Sequence, residues 1–82
     1  MTEDPGAMDL VELDTSGLKC PLPILKARRA LAKTPPGGLL RVLATDPGAL
    51  KDFEVMCAQA GLTLERWSET DGTWTIDLRK PA

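Results

Sequence analysis

Neither a helix nor a strand can run through the stretch Thr34-Pro35-Pro36-Gly37-Gly38. Proline lacks the N–H that either ladder needs, and glycine permits the chain to reverse at little steric cost. The break lies near the middle of an 82-residue chain, so every element must fit on one side of it or the other. Ser16-Gly17, Asp46-Pro47, Gly61 and Asp71-Gly72 divide the remainder in the same way. Six short segments are left. A chain of this length buries only roughly 60–65% of its unfolded surface, so those segments must share one compact core in one domain.

Each segment carries its own periodicity. Leu10–Asp14 places Val11 and Leu13 on one side and reads as a first strand. From Pro21 to Lys33, Ile24, Ala27 and Leu31 recur at helical spacing, with Lys26, Arg29 and Lys33 pointing elsewhere. The branched, apolar Leu39–Thr45 fits a central strand. In the next segment Asp46 suits an N-cap, Pro47 a first helical position and Gly61 a C-terminal stop, with Leu50, Phe53, Cys57 and Ala60 as the buried stripe. Segments Leu62–Glu69 and Thr73–Lys80 flank Asp71-Gly72, a hairpin signal, and Trp74, Ile76 and Leu78 share a face. A two-residue loop would set Leu78 opposite Glu65. One extra loop residue sets it opposite Leu64, so a bulged three-residue turn is expected. The order β-α-β-α-β-β predicts a two-layer α/β sandwich, a four-stranded mixed sheet with two helices on one face.

Composition narrows the chemistry. The chain has two cysteines and no histidine, which removes Cys/His metal sites and Cys–His catalytic pairs from within it. No metal and no cofactor is expected. No apolar run approaches the ~20 residues of a membrane span, and the acidic start carries no secretory pattern. Residues 1–8 are therefore read as a flexible N-terminal extension, 9–82 as the domain, and the protein as cytoplasmic and monomeric. Net charge is −2, but no Asp or Glu falls between Thr15 and Thr45, where Lys19, Lys26, Arg28, Arg29, Lys33 and Arg41 all lie. That basic pole, Lys19, Lys26, Arg28 and Arg29 above all, suits docking of acidic partners through a salt-dependent encounter. Nucleic acid is not expected: Trp67 and Trp74 sit among Glu65, Glu69, Asp71 and Asp77 rather than in a basic groove.

Cys57 lies mid-helix on the apolar stripe and reads as a small buried hydrophobe. Cys20 does not: it stands before Pro21 and Pro23 at the head of the basic helix. If Pro21 is the first helical residue, Cys20 is the N-cap and its sulfur can accept from the Leu22 N–H; if the helix starts at Pro23, Cys20 sits outside the cap. Either frame puts the thiol at the positive helix end. Cysteines so placed ionise at roughly pH 3.5–7.5 rather than near 8.5, which predicts an activated sulfur without a histidine.

The stretch LDTSGLKCPLPILKARRAL resembles the signature of the TusA/SirA-like sulfur-carrier family, whose hallmark is Cys-Pro-x-Pro at the start of the first helix. LLRVLATDPGALKDFEVMCAQAGLTL and DGTWTIDLRK are similar to the family's later elements, and the likeness spans about Asp9 to Lys80. It implies that Cys20 carries sulfur as a persulfide, positioned by Gly17, Pro21 and Pro23. It also implies a cysteine desulfurase or rhodanese-like protein as donor and a relay protein or enzyme as acceptor, serving tRNA thiolation, molybdenum-enzyme maturation or sulfur oxidation. Such a carrier is one half of a sulfurtransferase reaction rather than a turnover enzyme. The competing reading is a non-catalytic partner-binding or regulatory module that uses the basic helix.

Overall fold

The computed structural model describes residues 10–82. The expected extension, residues 1–8, lies outside them. The elements are β1 (Leu10–Thr15), α1 (Leu22–Ala32), β2 (Leu39–Ala44), α2 (Ala49–Ala60), β3 (Thr63–Thr70) and β4 (Thr73–Arg79). The sheet order is β1-β2-β4-β3, with β1 and β2 parallel and the other two pairings antiparallel. Alternation then decides which side is dry. Leu40, Val42 and Ala44 of β2 and Ile76 and Leu78 of β4 join Ala27 and Leu31 of α1 and Ala49, Phe53, Met56 and Cys57 of α2 in one core. Both helices thus cover the same face of the mixed sheet, as the order of elements predicts.

Two element starts differ from expectation. α1 begins at Leu22 with Pro21 at the cap position, between the two frames considered. Pro23, in the first turn of α1, is buried. α2 begins at Ala49 with Gly48 at its cap, two residues later than the reading with Asp46 as cap. Asp46 instead forms the turn leading in: its Oδ2 accepts from the Gly48 N–H at 3.1 Å and its carbonyl from the Ala49 N–H at 3.0 Å. The start of the helix is still closed by Asp46, one step further out. At the other end Gly61 takes φ +72, a left-handed stop. The buried stripe also differs from the expected one: Ala49 and Met56 join Phe53 and Cys57 inside, Leu50 is half-buried against the core, and Ala60 is exposed rather than buried.

The hairpin corrects one expectation and preserves its purpose. Its loop has two residues, Asp71 (φ 52) and Gly72 (φ 84), and Thr70 faces Thr73. Two positive φ angles suit the right-handed twist of the strands, which is why Asp-Gly closes the turn tightly. The extra residue sits inside β3 as a bulge between Leu64 and Arg66, so Leu64 does face Leu78. The apolar pairing is kept by a bulge in the strand rather than by a longer loop. That bulge places Glu65 where its carboxylate receives two hydrogen bonds from Arg79, at 2.8 and 3.1 Å.

Buried Asp77 on β4 lies opposite Arg41 of β2 and accepts from its guanidinium at 2.8 and 3.1 Å. Arg66 approaches the same carboxylate at 4.0 Å. Reading β4 alone gives no partner for Asp77; the β2–β4 register supplies one. Trp67 and Trp74 meet with ring centroids 5.5 Å apart and planes tilted by 58°, and Trp67 is largely exposed.

Candidate functional site

Both helices run from the end of the sheet where β1 and β2 terminate, because each follows one of these parallel strands. Thr15 pairs with Ala44 at that end. The loops leaving the two strands are tied together: the Gly17 N–H donates to Thr45 Oγ1 at 2.8 Å, and Thr15 Oγ1 donates to the Leu43 carbonyl at 2.6 Å. Gly17 holds φ +82, a conformation that side-chain-bearing residues rarely adopt, and the Leu18 N–H returns to the Thr15 carbonyl at 3.1 Å. The chain then delivers Cys20 to the surface one residue before the α1 cap. The Cys20–Pro21 peptide bond is cis.

The Leu22 N–H donates to the Lys19 carbonyl at 2.9 Å, so the cysteine sulfur is not its acceptor, and α1 has no side-chain cap. Of the two cysteines, Cys20 is exposed and Cys57 buried, as their settings in the sequence predict. Burial pushes the Cys57 thiol up and keeps it in the neutral form.

Cys20 does not have the expected depressed pKa. Hydrogen bonding toward the Asp52 carboxylate, in the first turn of α2, is the main cause raising its thiol above the ordinary value. Lost hydration and the negative charges of Asp52 and Asp46 push the same way. The expected pull of the helix end is about half a positive charge, and the Asp52 and Asp46 carboxylates oppose it. The sequence-based expectation considered α1 alone and missed Asp52, which lies 32 residues beyond Cys20 and comes near only because the two parallel helices start side by side.

The other residues singled out divide into two groups. Lys19 and Arg28 are exposed, on the loop and on α1. Lys26 and Arg29 rim a groove whose floor is Val11 and Leu13 of β1 and Ala30 of α1, and Lys33, left out of the expected docking set, completes the rim. Leu22 and Leu25 adjoin Lys26 and Arg29 and stand 45% and 54% exposed, an apolar strip running from beside Cys20 along the outer side of α1. Pro21 is exposed and Pro23 buried, so one proline faces a visitor and the other the core. Among the described residues no group of three or more His, Cys, Asp or Glu side chains could hold a metal ion. No helix there is long and apolar enough to cross a membrane.

The profile of the family described as Sulfurtransferase TusA matches residues 11–80. The chain belongs to the TusA family. A Neisseria meningitidis serogroup A protein carrying a sulfur-carrier name is 54% identical to this TusA-family chain over 69 residues, covering 84% of it and 93% of that protein. The sulfur carrier protein TusA of Allochromatium vinosum is 45% identical over 69 residues, covering 84% and 91% respectively. The crystal structure of a SirA-like protein from Desulfitobacterium hafniense superposes with a TM-score of 0.76 at 24% identity, covering 88% of the TusA-family chain and 99% of that one, and shows the same fold.

Proposed function

We propose that this protein is a sulfur carrier that holds sulfur as a persulfide on Cys20. The observation that carries the reading is the exposed thiol of Cys20, held on a pinned loop at the one end of the fold from which both helices start, in a chain of the TusA family. The proposed loading step needs only that sulfur and a donor persulfide. The Cys20 S–H bond breaks and its sulfur attacks the outer sulfur of the donor. One S–S bond forms at Cys20 as the donor's S–S bond breaks, and the departing donor sulfur keeps the electron pair and takes up the proton. Sulfur moves with no external oxidant or reductant, and the persulfide is a reversible cysteine state suited to carriage.

Donor and acceptor are read as proteins that meet the basic, apolar face of α1. Leu22 and Leu25 supply area to bury, while Lys19, Lys26, Arg28 and Arg29 supply charge that speeds encounter and weakens with salt. A desulfurase or rhodanese-like donor, a relay acceptor, and service to tRNA thiolation, molybdenum-enzyme maturation or sulfur oxidation in the cytoplasm are the roles that family membership supports.

Incubation with a cysteine desulfurase and cysteine, followed by persulfide-specific labelling and peptide mass spectrometry, tests the reading. Label is expected on Cys20 in the parent and in Cys57→Ser, and on neither residue in Cys20→Ala. Equal labelling of Cys20→Ala overturns it. Labelling intact but unaffected by Arg28→Glu together with Arg29→Glu removes the docking role of the α1 face.

A further inference from the structure

Cys20 sits on the connection from β1 to α1, Ser16 to Pro21, and several bonds along it are local. The Ser16 N–H donates to Asp14 Oδ1 at 2.9 Å, the Leu18 N–H to the Thr15 carbonyl at 3.1 Å and the Leu22 N–H to the Lys19 carbonyl at 2.9 Å. Such bonds shape a loop without fixing where it stands against the rest of the fold. The Gly17 N–H is different: its acceptor, Thr45 Oγ1 at 2.8 Å, lies 28 residues away. Thr45 is a firm post for it. It follows Ala44, the last residue of β2, which pairs with Thr15 on one side and Trp74 on the other. It precedes Asp46, whose side chain and carbonyl close the turn into α2. As a β-branched residue Thr45 is also stiff at its first side-chain torsion, so its hydroxyl holds its direction. Thr15 makes the converse bond, its Oγ1 donating to the Leu43 carbonyl at 2.6 Å. The exits of the two parallel strands are thus clasped by a threonine from each.

From this clasp we infer that Thr45 is a positioning residue of the transfer site: its hydroxyl, acting through the Gly17 N–H, sets where the loop presents the Cys20 sulfur to a docked partner. The inference rests on the sulfur-carrying reading of Cys20. Energetics separate this role from a structural one. Gly17 is exposed, so its N–H turns to water when the hydroxyl is removed, and the fold loses little. Placement is less forgiving. Transfer between two docked proteins needs the attacking and attacked sulfurs aligned and in contact, and a misplacement of about 1 Å can slow a reaction by about 10²-fold. A small donor free in solution makes no such demand, because it approaches the sulfur wherever the loop stands. Thr45 therefore serves transfer within a docked pair and leaves the intrinsic reactivity of the thiol alone. The clasp favours protein donors over diffusible sulfur compounds.

The test compares the two kinds of donor on the full-length protein. Loading is followed as the mass of one added sulfur on the Cys20 peptide, from a cysteine desulfurase with cysteine and, separately, from inorganic polysulfide. In the second arm the same exchange leaves the polysulfide one sulfur shorter, carrying the electron pair and the thiol proton. Thr45→Val keeps the side-chain shape and removes the acceptor, whereas Thr45→Ser keeps the acceptor. Thr45→Val is expected to lower the maximal desulfurase-driven rate several-fold at an unchanged half-saturating desulfurase concentration, because the α1 face is untouched. Thr45→Ser is expected to restore most of that rate, and polysulfide loading to be equal in all three proteins. The Gly17 amide, read by NMR hydrogen exchange, should exchange faster in Thr45→Val than in the parent or Thr45→Ser. If Thr45→Val melts early, Thr45→Ala, which also lacks the acceptor, takes its place. The inference is overturned by a parent-like maximal rate in Thr45→Val, by Thr45→Ser as slow as Thr45→Val, by an equal loss with polysulfide, or by unchanged Gly17 exchange. A parent that takes no sulfur from the desulfurase removes the role of Thr45, and one that takes none from polysulfide either removes sulfur carriage as well.

Discussion

Asp77 shows what a single buried acid requires. Its two oxygens are taken by Arg41, and removing the carboxylate as Asp77→Ala strands a guanidinium that is still partly open to water. The expected loss is about 1–3 kcal/mol, below the 3–5 of a fully enclosed pair, and denaturant unfolding measures it. The two cysteines should differ as sharply under native conditions. Cys57, neutral and enclosed, should alkylate only as the protein unfolds, whereas Cys20 should react in the folded state. This contrast was legible in the sequence, because an apolar helical stripe and a Gly/Pro-bounded loop are local patterns. The partners of Asp77 and Cys20 were not, since both come from strands or helices distant in the chain, and a register or a helix–helix placement is needed to find them.

Among the elements, α2 ties the layers together through Phe53, fully buried where helix meets sheet. Phe53→Ala should cost about 3–5 kcal/mol, read from the denaturation midpoint at unchanged slope. Element order and type followed from proline and glycine punctuation and from periodicity, and the glycine stop of α2 followed from Gly61. The ends were less legible. A cap depends on which backbone N–H groups the preceding turn can satisfy, and Asp46 satisfies those of Gly48 and Ala49 from two residues before the cap. The bulge at Glu65 was hidden for a related reason: one spare residue can be placed in the loop or in the strand with the same apolar pairing. Asp71-Gly72 accepts the tight turn, so the strand absorbs it.

For the whole molecule, acid is the informative variable. Arg79 hydrogen-bonds Glu65 and holds its carboxyl below the ordinary value of 4.5, and the Ser16 bonds to Asp14 lower that carboxyl from 3.8. A carboxylate depressed in the folded state lends stability above its ordinary pKa and loses it as pH falls through the folded one. Melting temperature should therefore decline below about pH 4.5, with a shallower slope in Glu65→Gln. Both groups are exposed, so the contribution is small and fades with salt.

The sulfur's location at one end of the sandwich, where both helices begin, also governs traffic. Under the proposed docking at that end, giver and receiver both approach the same exposed Cys20, so they take turns and compete for the same berth. A surplus of receiver should accordingly slow the filling of an empty carrier, and the overall relay should show the alternating kinetics of a shuttle rather than those of a three-way assembly.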